Sequence, residues 1–219
     1  MERALPIVAA LVTGLCGFMG FRAIGASTWW WLVGGNAVLG VAALAYLKRE
    51  EILVDTVKLE PGDISRGIGA AAVGIALAIG AGSLGLTFLP LRTGEEVLQL
   101  LQIRKAVTPE AKRAALVIGA AFAEEIVWRG AVTQALAPRF GSKRAPWIAS
   151  LIGVLALAPT MRPAVILGGV AVSAMGAALV QRQQGRIAPA MVAHAVFTWV
   201  VSEMVVLHLW QKVRAIYGL

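Results

Sequence analysis

Apolar stretches recur along the whole chain, most of them long enough to cross a hydrocarbon core of about 30 Å as a helix. Seven can be delimited, at about residues 4–21, 28–47, 67–89, 111–136, 147–158, 163–180 and 187–208, the fifth being short for a span. Lipid offers no partner to an unpaired backbone amide, so each should be helical. The expected fold class is all-α: a multi-pass transmembrane bundle of about seven helices, forming a single transmembrane domain over residues 1–219. Composition excludes an ordinary soluble domain, since 58% of the residues are hydrophobic and only 15% charged, against about 45–50% and about 25% in soluble proteins.

The first apolar stretch, ALPIVAALVTGLCGFMGF, follows a basic start but has no clear small-x-small cleavage site. It reads as a helix or an uncleaved anchor. Cys16, the one cysteine, has no partner for an intramolecular disulfide and reads as a packing residue. The net charge of +8 is spread over the connections between apolar spans. That distribution points to the lipid bilayer as partner and not to nucleic acid. Orientation is balanced, because ten basic residues would lie on one side and nine on the other.

Punctuation marks several helix starts: Pro109, Pro146, Pro163 and Pro189 suit a first turn, where a missing N–H costs little. Between the third and fourth spans, GEEVLQLLQIRKAV places Val97, Leu98, Leu101 and Ile103 near one face, as expected of an amphipathic helix in the interface. Gly169, Ser173 and Ala177 are spaced four apart, which favours close packing of the sixth span against a neighbour.

Against this background AAFAEEIVWRGAVTQ, residues 120–134, is anomalous, because Glu124, Glu125 and Arg129 fall within six residues inside an apolar helix. A helix starting near Pro109 carries Glu124 about 22 Å along its axis, well into the membrane. Glu125 and Arg129, four apart, share a face and can pair. Glu124 points about 100° away and is left unsatisfied. A carboxylate at such depth costs at least about 2–3 kcal/mol on insertion scales, so it needs water, a proton, a metal or a partner helix. A structural polar knot is one reading. The functional one makes Glu124 the general base for a water, oriented by Glu125 and Arg129.

A histidine is the natural second constituent, and the chain has two. His194, about two turns after Pro189, can meet Glu124 across the bundle. His208, about 21 Å further along the same helix, cannot join that site and belongs at the far interface beside Trp210. Thr198, one turn after His194, can orient the ring, donate to a developing oxyanion, or bond its own backbone. Glu203 faces nearly the opposite side from His194, where pairing with an Arg or Lys at the interface is the default.

With EEIVWRG on one late helix and AHAVFT on the last, residues 108–205 resemble the CPBP family of intramembrane proteases, the CAAX-protease and bacteriocin-processing group. The family's E-E-x-x-x-R motif is matched by Glu124, Glu125 and Arg129, and R-x-x-G-R-I-A-P-A-M-x-A-H is close to its approach to the last histidine. Two motifs depart. F-x-x-x-H should fall in SLIGVLALAPTMRP, which has no histidine near Leu157 or Ala158, and H-x-x-x-N/D has Thr198 in its last place. The resemblance implies a catalytic core over residues 108–205 and hydrolysis of a peptide bond by a glutamate-activated water, of glutamate or metallo type. Its substrate would be a membrane-anchored protein or peptide, such as one ending in a C-terminal anchor, a sorting tag or a prenylated C-terminus.

A zinc ion is one option for cofactor, but Glu124, Glu125 and His194 make three ligands only if Glu125 leaves Arg129. The absent histidine therefore favours a metal-free mechanism with Glu124 as base and His194 as oxyanion or leaving-group partner. It also motivates the alternative of a catalytically silent binding or scaffold protein of the same fold. A proton-linked transporter is a third reading, with few polar residues such as Asn36, Gln134 and Ser173 to line a path. The expected location is the bacterial inner membrane.

Overall fold

Helices with no strand among them make up the computed structural model, which describes residues 4–23 and 26–218. Nine occur among the described residues: α1 (Leu5–Arg22), α2 (Ser27–Arg49), α3 (Leu53–Val57), α4 (Asp63–Phe88), α5 (Pro90–Lys105), α6 (residues 110–140), α7 (Ala145–Thr160), α8 (Pro163–Arg182) and α9 (Ala188–Tyr217). All seven apolar segments are helical. The other two helices are α5, foreseen from its amphipathic pattern, and the five-residue α3, which is too short to leave a periodic signal.

Five helices, α1, α2, α4, α8 and α9, are long and apolar enough to cross a membrane. Glu124, Glu125 and Arg129 interrupt the apolar run of α6, and α7 is a shorter apolar helix. The prolines act where expected, with Pro109 at the N-cap of α6 and Pro146, Pro163 and Pro189 in the first turns of α7, α8 and α9.

Two sets of polar contacts fix opposite ends of the bundle. At one end the Ile187 amide donates to the Thr56 carbonyl (2.9 Å), and Arg186 donates to Asp63, which is fully buried (2.6 Å). At the other end α5 reaches three spans. Gln99 donates to the Phe21 carbonyl (2.8 Å), the Trp29 indole donates to the Ile103 carbonyl (3.0 Å), and the Ala164 amide donates to Glu96 (2.6 Å). Glu96 thereby satisfies an orphan amide in the first turn of α8.

Apolar burial drives helix association weakly in lipid, so close approach through small residues carries more of the packing. A Cβ on Gly67 of α4 would lie 2.6 Å from Val192 Cβ and 2.7 Å from the Pro189 carbonyl oxygen of α9. One on Gly40 of α2 would lie 3.0 Å from Ala123 Cβ of α6. Ser173 and Ala177 of α8 are buried as expected of the small-residue stripe, together with Gly176. Two apolar clusters flank the charged centre: Leu39, Leu47, Val127, Trp128 and Val132 on one side, and Ala71, Val172 and Phe197 on the other.

Three π turns occur among the described residues: Trp30–Gly34 in α2, Ile126–Val132 in α6 and Val201–Val205 in α9. Each widens its helix locally and rotates the residues beyond it, a device common at functional sites. The three helices that carry them supply the polar centre.

Candidate active site

Glu124 and Glu125 end the regular part of α6, directly before its π turn, and diverge as successive helical residues must. Glu125 is completely buried, whereas the Glu124 side chain keeps about a third of its surface (34%). Arg129, inside the π turn, lies with Nη1 3.2 Å from Glu125 Oε1 and donates through Nη2 to the Val172 carbonyl of α8 (3.3 Å). Gly176 makes room for it, since a Cβ there would sit 2.7 Å from Arg129 Nε. The pairing expected from the i,i+4 spacing is thus present and buried.

His194, also buried, comes from the second turn of α9. Its Nδ1 is 2.9 Å from Glu125 Oε1. A carboxylate paired with Arg129 accepts and cannot donate, which assigns a ring proton to Nδ1; in the neutral imidazole the lone pair is then on Nε2. That Nε2 faces Glu124 Oε2 at 3.6 Å, too far for a direct hydrogen bond. Glu124 Oε1 accepts instead from Asn36 Nδ2 of α2 at 2.6 Å. Asn36 is the partner that reading the sequence missed, its only signal being a lone amide in an apolar span.

Thr198 is not joined to this group; among the described residues its hydroxyl has no hydrogen-bond partner in the structure. His208 is exposed and distant along α9, as expected. Glu203 does pair with arginine, but in the interior of the chain. Arg113 binds both of its carboxylate oxygens, through Nε and through Nη2 (2.8 Å), and Arg104 Nε adds a third contact (3.0 Å).

The donor set does not fit a three-ligand zinc site. Glu125 Oε1 is shared by Arg129 and the His194 Nδ1; Glu125 Oε2, Glu124 Oε2 and His194 Nε2 are the donors left at the centre, but no group of three His, Cys, Asp or Glu among the described residues could hold a metal ion.

Fold and site together define an all-α, multi-pass integral membrane protein with a carboxylate–imidazole pair set across a buried ion pair. Residues 111–200 match the family model described as type II CAAX prenyl endopeptidase, Rce1-like, which supports membership of the CPBP family. At the level of that family the match supports a CAAX-type intramembrane endopeptidase, a hydrolase acting on membrane-associated substrates. Nothing among curated proteins or solved structures matches the chain.

Proposed function

We propose that the chain cleaves the C-terminal part of a membrane-anchored protein or peptide with a water activated by Glu124. One observation carries this reading: Glu124 Oε2 and His194 Nε2, both able to accept a proton, face each other at 3.6 Å, a separation at which one water can bond to both. Glu124 takes a proton from that water as its oxygen bonds to the scissile carbonyl carbon, and the carbonyl electron pair moves to oxygen. The proton passes to His194 Nε2, and the imidazolium so formed is held by Glu125 through Nδ1. Collapse of the tetrahedral intermediate breaks the C–N bond, and His194 returns the proton to the leaving nitrogen. The products are a carboxylic acid and an amine.

Arg129 pairs with Glu125 and holds it in place for this cycle. A prenylated C-terminus, a sorting tag and a C-terminal anchor all present a peptide bond at membrane depth. The test compares membrane-protein termini by mass spectrometry between cells carrying the wild type and cells carrying Glu124→Ala at equal expression. Termini that vanish with the variant name the substrate. Identical termini would overturn the proposal in favour of a silent binding protein, a reading that the missing histidine near Ala158 also favours.

A further inference from the structure

We propose that Asn36, on α2 and outside the stretch matched by the family model, is a positioning residue that aims the Glu124 carboxylate at His194. Its amide has two N–H donors, and both are engaged: one on the Leu32 carbonyl of its own helix (2.9 Å), the other on Glu124 Oε1 (2.6 Å). Two acceptors on the same nitrogen fix which way the amide faces. The Leu32 contact anchors the side chain, so that the second hydrogen has one direction left.

With Oε1 held, the carboxylate cannot turn freely about its last bond, and Oε2 is presented to His194 Nε2. The reach of so short a side chain depends on how closely α2 and α6 approach. That distance is set one turn further on, where Gly40 packs on Ala123, the residue before Glu124. The π turn at Trp30–Gly34 lies just ahead of Asn36 and rotates it relative to the preceding turns of α2. Register, spacing and anchoring thus converge on one hydrogen bond.

The inference takes Glu124 to be the base of the proposed reaction, but its test does not depend on cleavage alone. The detergent-solubilised full chain is compared as wild type, Asn36→Leu and Asn36→Ala. Leucine keeps the branched shape of asparagine without donors, and alanine removes both shape and donors. Infrared difference spectra of protein carrying isotope-labelled glutamate identify the Glu124 carboxylate bands as those that Glu124→Gln removes. We expect these bands to shift equally in both Asn36 variants. Turnover of a fluorogenic farnesylated CAAX-terminal peptide should fall by about 10²-fold in kcat with KM nearly unchanged, the scale of a misaligned general base.

Unshifted Glu124 bands in Asn36→Leu would overturn the proposal, as would a variant pair in which leucine is fully active and alanine is not, the pattern of a packing residue. If the wild type itself leaves the peptide intact, the substrate reading fails, and the infrared bands still decide the role of Asn36.

Discussion

A single carboxylate oxygen, Glu125 Oε1, both orients and pairs: it lies 2.9 Å from His194 Nδ1 and 3.2 Å from Arg129 Nη1. The imidazole thereby has one nitrogen committed to Glu125 and the other turned toward Glu124. Neither glutamate substitutes for the other, although they are adjacent in sequence. One is fully buried, with Arg129 and His194 both on its Oε1, and the other is partly open and held by a neutral amide.

Removing Arg129 should therefore damage the fold more than the chemistry alone explains. Arg129→Leu leaves Glu125 as a buried charge with only His194 beside it, which typically costs about 3–5 kcal/mol. The expected result is a clear drop in thermal stability in detergent. Gly176→Ala, whose new methyl must displace the Arg129 side chain, should lower stability by less. Equal melting temperatures for Arg129→Leu and wild type would show that the pair is not stabilising.

His194→Gln separates folding from catalysis. Glutamine retains an N–H donor for Glu125 but has no ring nitrogen to face Glu124, so stability should change less than in Arg129→Leu. Cleavage should fall by about 10²–10⁴-fold. Processing that continues at the wild-type rate would exclude His194 from the proton path.

The second buried charge group gives a prediction in rank order. Arg113 is almost fully buried and binds both oxygens of Glu203, whereas the Arg104 side chain is about a fifth exposed (22%). Arg113→Leu should destabilise the protein by up to about 3–5 kcal/mol, and Arg104→Leu by less, because Arg113 still holds both oxygens of the buried Glu203. Urea or thermal denaturation of the two variants checks the order, and a reversal would contradict it.

The polar ties at the two ends of the bundle fix which connections share a side. Lys58 and Lys143 are both exposed, near the end that joins Thr56 to Ile187, while Arg92 and Lys105 are exposed on α5 at the opposite end. Single cysteines introduced at residues 58 and 143 should react with an impermeant thiol reagent from one face of the membrane, and those at 92 and 105 from the other. Labelling of residues 58 and 105 from the same face would refute this arrangement.

How much was readable in the sequence depends on the range of each interaction. Glu125 and Arg129 are four residues apart on one helix, a pairing that spacing alone specifies. His194 was legible by elimination, since His208 lies too far along the same helix. Asn36 was not, because its contact with Glu124 spans 88 residues and depends on the Gly40–Ala123 approach. Glu203 was expected to find an arginine or lysine, but neither Arg113, 90 residues away, nor its burial could be named. The π turns left no trace in periodicity, since one extra residue per helix is within the uncertainty of any boundary. For Thr198, one turn after His194, position alone leaves ring orientation, oxyanion donation and a bond to its own backbone all open, and proximity along α9 does not bring its hydroxyl onto the ring.

The close contact of Gly67 with Val192 and Pro189 bears on how such a protein can be divided. The turn of α9 that delivers His194 rests on α4, and the helix that delivers Glu124 rests on α2, yet neither α2 nor α4 belongs to the stretch that matches the family model. A chimera built by transplanting residues 111–200 into another bundle would import both glutamates and the imidazole. It would leave behind the surfaces that hold them in register. The recognisable part of this chain is therefore not a portable module, and its unmarked helices should tolerate exchange least at Gly40 and Gly67.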